Sequence, residues 1–435
     1  MTNNTAVEII PNKLYWIADK SPPRNQKNSY YFCIDDELVY QPFCNDFGPL
    51  NLGMTYKFCV ELEKLIKPTV NNYKIYHYTS LNPQKRSNAA FLMGAFQIVV
   101  MKKSAKEAWV PFAGLPPFLE FRDAGYGGCT YKCSVYHCLR GLEKGIELGW
   151  FNYRTFNLQE YEFYEKVENG DWNWIIPGRI LAFASPAPSS YDENGLKMWT
   201  PEDYSNLFKR IGISAVVRLN NKTYEADRFT KNGIRHYDLY FLDGSVPSDN
   251  IIQDFLRVAE TEKAIAVHCK AGLGRTGTLI GIYAMKHYNF PATDFIGWIR
   301  ICRPGSVLGP QQQFLLEIEN SCKKWKLEGK KSQSRISKSE DRKITMSPEE
   351  HFVSVNGDYG QAERLVNAKK SNQSSPSTPV ITSKGQNANR AISGTPNGPL
   401  KTKTQANNIF VKSPGRTITP LTGRMVYTRK LNNLK

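Results

Sequence analysis

Ala264-Ile-Ala-Val-His268-Cys269-Lys270-Ala271-Gly272-Leu273-Gly274-Arg275-Thr276-Gly277 is the stretch that decides the fold. The apolar run Ala264 to Val267 reads as a buried strand, and Thr276 to Tyr288 is compatible with a helix. A strand, a glycine-bearing loop and a helix N-terminus in succession make an anion cradle. Backbone N–H groups and the positive end of the helix dipole converge there on one point. A thiol, Cys269, stands at the mouth of this cradle, and the field that draws in a phosphate also favours thiolate over thiol. Arg275 is cationic at any working pH and can grip two phosphate oxygens at once. The backbone of Lys270, Ala271, Gly272, Leu273 and Gly274 supplies the rest of the phosphate loop. A nucleophile inside a phosphate site points to phosphate removal through a covalent phosphocysteine. A Walker-type loop would need Gly-Lys-Ser/Thr, which this loop lacks.

Serine is a poor leaving group, so its oxygen must be protonated as the P–O bond breaks. Asp243, in Phe241-Leu-Asp-Gly-Ser-Val-Pro-Ser-Asp249, begins a loop marked by Gly244 and Pro247 at the end of an alternating stretch. It is the expected general acid. Asp249 reads instead as the N-cap of a helix over Asn250 to Ala259. Gln311-Gln312-Gln313 open a helix running through Phe314 to Trp325. Their amides either place the hydrolytic water or merely start a solvated helix. Thr276 is placed to bond the cysteine sulfur when it leaves, and His268 to order the loop. The chemistry requires no metal and no cofactor. Cys129, Cys133 and Cys138 with His137 lack CxxC spacing and read as core.

The chain has 435 residues, 41% hydrophobic and 12% aromatic, enough for two globular domains of the α/β class. No apolar run is long enough to span a membrane, and Met1-Thr-Asn-Asn-Thr5 lacks a signal-peptide pattern. Nine cysteines without a framework fit a reducing, intracellular setting. A weak repeat is visible: Ile75-Tyr-His77-Tyr78 through Gln84-Lys-Arg86 to Ala90 aligns with Val267-His268-Cys269 and the helix after it. Tyr78 falls at the nucleophile position and Gln84 at the arginine position, with Arg86 displaced by two residues. This reads as a first domain, residues 1–155, that kept the architecture and lost the chemistry. A catalytic domain over residues 175–330 follows.

Residues 156–174 join the two, with Glu160, Glu162, Glu165, Glu168 and Asp171 among aromatic residues. Glu162 and Glu165 share a helix face, and Asn169-Gly170 supplies a stop. The segment is either a solvated linker helix or an acidic wall that selects basic residues in a substrate. Residues 331–435 hold 18 Lys/Arg against 6 Asp/Glu, which is +12 of the net +17, and no acidic residue follows Glu363. So polar a tail is expected to be disordered. Its basicity marks no specific nucleic-acid binder. It contains six Ser/Thr-Pro sites, at Ser347, Ser375, Thr378, Thr395, Ser413 and Thr419. Ser413-Pro414-Gly415-Arg416 stands out as a site for regulatory proline-directed kinases that would also suit the chain's own acidic groove.

The signature loop, the Asp243 segment, Ile301-Cys-Arg-Pro-Gly through Phe314, Pro116 to Asp123 and Glu168 to Ile176 together resemble the cell-division-cycle-fourteen family of dual-specificity protein phosphatases. The resemblance runs from about residue 10 to residue 326. It implies two tandem phosphatase-like domains joined by a helix, the second active, and a preference for phosphoserine followed by proline and a downstream basic residue. It further implies Cys269 as nucleophile, Arg275 as clamp, Asp243 as acid, and Glu162, Glu165 and Asp171 as an acidic substrate groove. The substrates implied are phosphoproteins marked by cyclin-dependent kinases, with a role in cell-cycle and mitotic-exit control. The setting implied is nucleus and cytoplasm, with nucleolus or spindle and centrosome. Two rival readings are a phosphoinositide phosphatase, whose similar loop carries a second lysine where Leu273 stands, and a phosphoprotein-binding scaffold.

Overall fold

Short apolar or alternating runs set the strands, and small polar residues set the helix starts. In the first half, β1 (Val7–Ile10) and β2 (Leu14–Asp19) pair antiparallel, and β3 (Ser29–Cys33) precedes α1 (Leu52–Ile66). Strand β4 (Lys74–Ser80), α2 (Pro83–Val99), α3 (Ala105–Trp109) and α4 (Val135–Glu147) complete it. Asn51, Asn82, Ser104 and Ser134 cap α1 to α4, each accepting from backbone N–H groups that would otherwise lack partners. The structure is a computed structural model that describes residues 6–333, except 25, 27, 68–72, 130 and 194, together with residues 360–374.

The second half opens with α5 (Leu158–Tyr164), then β5 (Trp172–Ile176), β6 (Ile180–Phe183), α6 (Pro201–Ile211), β7 (Ala215–Arg218) and α7 (Asp227–Thr230). It continues through β8 (Arg235–Asp238), α8 (Asp249–Thr261), β9 (Ile265–His268), α9 (Gly274–Tyr288), α10 (Ala292–Cys302) and α11 (Pro310–Gln333). The acidic connecting segment is therefore helical only over α5. A 3-10 turn, Val167–Asn169, and left-handed Gly170 (φ 104°) end it, and β5 already begins at Trp172. Ser248, not Asp249, caps α8, because the shorter serine hydroxyl reaches the N–H of Ile251 while Asp249 is already in the first turn.

The two sheets share a plan. The first has strand order β1-β2-β4-β3 and the second β5-β6-β9-β7 with β8 added at the edge. In each, the first pair is antiparallel and the others are parallel. His77 in β4 pairs with Trp16 and Phe32, and His268 in β9 with Phe183 and Arg218. Pro83 and Gly274, the helix starts that follow, each stand six residues beyond their histidine. The weak repeat is thus an architectural one, with Tyr78 opposite Cys269 and Gln84 opposite Arg275.

Helices α4 and α10 join the halves through glycine. A Cβ on Gly141 would lie 2.3 Å from the Asp294 carbonyl oxygen, and one on Gly297 would lie 2.8 Å from the Cys138 Cα. The close approach lets Trp298, 1% exposed, bury itself between the halves and donate from Nε1 to the Ile175 carbonyl at 3.1 Å. Burial of such a side chain contributes about 2–3 kcal/mol. Arg140 and Asp294 pair across the same seam at 2.9 Å. One hydrophobic core consequently runs through both halves, from Leu14 and Phe96 to Phe255 and Ile296.

One stretch of the region expected to stay disordered is ordered: residues Gln361–Ser374 form α12. Ala362 and Leu365 lie on one helical face and are both 3% exposed, so this stretch has apolar surface to bury after all. All six Ser/Thr-Pro sites of the tail, Ser413 included, lie outside the described residues. No helix among the described residues is long and apolar enough to cross a membrane.

Candidate active site

The loop between β9 and α9 is shaped by its glycines. Gly272 sits at φ 68°, and a Cβ there would lie 2.0 Å from the Phe183 carbonyl oxygen, so only glycine fits. Gly272, Gly274 and Gly277 also carry the spacing of a dinucleotide-binding turn. Here, however, that spacing serves packing: Gly277 lies against Val307 and Ile299, and Gly274 against Gln311 and Leu308. Helix α9 differs from its counterpart in the first half at one telling place. Asn82 caps α2 and takes the N–H groups of Gln84 and Lys85, whereas Leu273 gives α9 no side-chain cap. An uncapped helix start beside Cys269 is the kind of terminus that suits an anion.

Cys269 is 2% exposed and lines a narrow cavity of about 10 Å³ with Asp243, Gly274, Gln311 and Leu308. Arg275 is buried, donates from Nη1 to the Phe241 carbonyl at 3.0 Å, and brings Nη2 to 3.3 Å from Asp243 Oδ1. The sequence pair Asp243 and Arg275 therefore meets at the cavity. The Thr276 hydroxyl is fully buried and has no hydrogen-bond partner among the described residues. Lys270 pairs with Glu363 of α12.

His268 is enclosed and does not open on the cavity. A carbonyl can only accept, so Nδ1 donates to the Cys269 carbonyl at 2.9 Å and Nε2 accepts from the Tyr224 hydroxyl at 2.6 Å. Burial pushes its pKa well below the usual imidazole value and keeps the ring neutral. In the first half the equivalent His77 stacks on Phe32, Tyr78 donates to the Asp19 carbonyl, and Arg86 binds the carbonyls of Pro116 and Pro117. None of these is arranged to hold a phosphate.

The three glutamines separate. Gln311 is buried at the cavity and donates to the Ser245 carbonyl at 3.0 Å. Gln312 accepts from Arg300 at 2.7 Å inside the protein, and Gln313 is exposed on α11 with Glu317 as its partner. Gln312 and Gln313 are thus removed from the water-placing set by the helical turn, which points consecutive side chains in different directions.

Beside the cavity lies an acidic floor. Asp171 is 6% exposed and Arg303 fully buried, and they pair at 2.8 Å. Burial would raise the Asp171 pKa, but Arg303 and Lys369 outweigh it and hold the carboxyl below its ordinary range. Glu165 accepts from Asn51 at 3.1 Å, and burial pushes it up to about 7. Glu162 is more exposed and pairs with Lys57.

Sequence reasoning missed Arg303. Its guanidinium donates to the Gly272 carbonyl at 2.8 Å, the Ala271 carbonyl at 3.0 Å and Asn173 at 2.8 Å, holding the phosphate loop from behind. The Arg-Pro-Gly context gives a turn signal and no sign of burial. It also missed what the first half supplies. Phe43 and Ala124 join Ala271, Leu273 and Leu308 in an apolar wall, and Asp123 accepts from the Gly309 N–H at 2.7 Å, bracing the loop before Gln311.

Residues 8–145 match a family model described as "Dual specificity protein phosphatase, N-terminal half". Residues 193–289 match one described as "Polymorphic toxin system, DSP-PTPase phosphatase". The chain is 52% identical over 320 residues to "Dual specificity protein phosphatase CDC14A" of Homo sapiens, across 73% of this chain and 54% of that one. It is 44% identical over 315 residues to "Dual specificity protein phosphatase CDC14C" of Homo sapiens, across 72% and 70%. The chain spans about half the length of the CDC14A relative. Among solved structures, "Crystal structure of Tk-PTP in the active form" is similar at 23% identity and a TM-score of 0.29, covering 34% of this chain and 96% of that one.

Proposed function

The chain belongs to the CDC14 family of dual-specificity protein phosphatases, and from that premise we propose that it hydrolyses phosphoserine-proline sites in proteins through a phosphocysteine intermediate. The observation that carries the reading is the convergence of Cys269, Arg275, Asp243 and Gln311 on one cavity at an uncapped helix start. The loop amides from Lys270 to Arg275 and the Arg275 guanidinium hold the three equatorial oxygens and stabilise the transition state. Cys269 attacks phosphorus in line while Asp243 protonates the departing serine oxygen. Gln311 then orients a water, Asp243 takes its proton, and phosphate leaves with the thiolate restored. His268, neutral and bonded on both nitrogens, fixes the loop and transfers no proton.

Selectivity is assigned to the walls. The apolar side chains of Phe43, Ala124 and Leu308 suit a proline next to the phosphoserine. Glu165 and Asp171 suit a basic residue further along, with Glu162 at the rim. Such a preference reverses the marks of cyclin-dependent kinases and fits a role in mitotic exit. The test is kcat/KM on four peptides: pSer-Pro-x-Arg, pSer-Ala-x-Arg, pSer-Pro-x-Ala and a phosphotyrosine analogue. The first is expected to lead by at least tenfold, and Cys269→Ser to abolish turnover on all four. Flat or tyrosine-favouring activity refutes the substrate assignment, and turnover by Cys269→Ser refutes the mechanism.

A further inference from the structure

Helix α12 lies along the cleft just described. Ala362, Leu365, Val366 and Lys369 recur at i, i+3, i+4 and i+7, so they share one face. The backbone N–H of Ala362 donates to Asp243 Oδ2 at 2.9 Å. Leu365 packs into the apolar wall with Phe43, Ala124 and Leu308. Lys369 bonds to Asp171, and Glu363 bonds to Lys270 on the phosphate loop. Asn372 donates to the Pro42 carbonyl at 2.9 Å, and Gln373 accepts from the Val167 N–H at 2.7 Å. These last two anchor the far end of the helix to both halves of the protein.

We propose that α12 is a pseudosubstrate, an intramolecular inhibitor that fills the acid, apolar and acidic subsites together and must leave before a phosphoprotein can enter. The proposal rests on the reading of the cleft given above. Spacing supports it. Seven helical residues from Ala362 to Lys369 rise about 10.5 Å at 1.5 Å each. An extended peptide spans about 10 Å from a phosphoserine to the third residue after it, at roughly 3.3 Å each. The helix thus offers an apolar and then a basic side chain over the length at which an extended substrate offers proline and arginine. At the position of the phosphoserine stands Ala362, which has no hydroxyl to carry a phosphate. Asp243 is engaged by a backbone amide, and Leu365 and Ala362 close the cavity over Cys269.

Covalent attachment makes even weak docking effective. Residues 334–359 join α12 to α11, and a linker of this size gives an effective concentration on the order of 1 mM. A helix with an intrinsic Kd near 0.1 mM would then occupy the cleft about nine-tenths of the time, so its release should raise activity about tenfold.

The test uses the full chain carrying Leu365→Asp and Lys369→Glu, beside wild type and Lys369→Arg. The double variant is expected to raise kcat/KM on the pSer-Pro-x-Arg peptide about tenfold, through KM, and to speed alkylation of Cys269 by iodoacetamide. Lys369→Arg should stay inhibited. A synthetic Gln361–Ser374 peptide added to the double variant should restore inhibition competitively, and the same peptide with Lys369→Glu should not. An alkylation rate that does not rise overturns the proposal, whatever the turnover. A rise in alkylation with no turnover by any form supports the cover and refutes the phosphatase reading instead.

Discussion

Arg303→Met keeps much of a fully buried volume and removes the donors that hold the phosphate loop from behind. Three acceptors, the carbonyls of Ala271 and Gly272 and Asn173 Oδ1, lose their partner, at about 1 kcal/mol each. Asp171 loses Arg303 but keeps Lys369, so the broken pair costs about 3 kcal/mol, the low end for a buried pair. The thioether stem returns about 1–2 kcal/mol of apolar burial. The expected loss is therefore about 4 kcal/mol, a large part of a margin of about 5–15 kcal/mol that leaves the protein folded but weakened. The catalytic consequence follows from peptide geometry. In a planar trans peptide the C=O and the next N–H point in opposite directions, so holding the carbonyls of Ala271 and Gly272 outward turns the N–H groups of Gly272 and Leu273 inward. Loosening them should cost about 10²–10³ in kcat/KM, as loss of an oxyanion donor does. Urea unfolding followed by tryptophan fluorescence gives the first number, and phosphopeptide turnover under folding conditions the second. A stability loss under about 1 kcal/mol, or a folded variant within threefold of wild-type kcat/KM, would refute the role assigned to Arg303.

Three further expectations are independent of that one. Asp243→Asn should slow a phosphoserine peptide by about 10²-fold or more and an aryl phosphate by less than about tenfold, because a phenolate leaves without a proton; equal losses on the two would count against the acid. Gly272→Ala, which places a methyl at 2.0 Å from the Phe183 carbonyl at φ 68°, should lower the unfolding free energy by about 2–4 kcal/mol and abolish activity, and a variant with wild-type melting would contradict the fit. Glu165, pushed by burial up to about 7 from 4.5, keeps a proton when folded that it gives up when unfolded, so stability falls as pH rises through that window. Glu165→Gln should remove this slope and gain on wild type by a few kcal/mol above about pH 7, with the two equal near pH 4. Parallel stability profiles for Glu165→Gln and wild type would show that the carboxyl is not buried as described.

The strand–loop–helix unit around Cys269 was legible because its signals are contiguous: strand, thiol, glycines and arginine follow one another within a dozen residues, and each has a local reason to be there. Asp243 was legible for a related reason, since it opens a loop marked by Gly244 and Pro247, a few residues beyond the end of β8. The repeat could be traced through His77 and His268 because both histidines stand in strands at the same distance from a helix. Arg303 and Asp123 were not legible, as their partners, the Gly272 carbonyl and the Gly309 N–H, are brought near only by tertiary packing. The glutamine run misled in a simple way: three identical side chains on one turn of helix cannot all face one cavity. Helix α12 was hidden by composition, because Leu365 and Val366 are isolated apolar residues that become a face only when the cleft is there to receive them.

Phe43, Ala124 and Asp123 reach the site from the half that has Tyr78 in place of a thiol. The apolar wall beside Cys269 is therefore built by both halves, while Cys269 and Arg275 stand in the second alone. A substitution at Phe43 or Ala124 can reshape what fits beside the phosphate without displacing Cys269, Arg275 or the amides between them. On the proposed assignment of the walls, the first half is where selectivity could change while the reaction stays constant. It is also where selectivity can be engineered at the lowest risk to turnover.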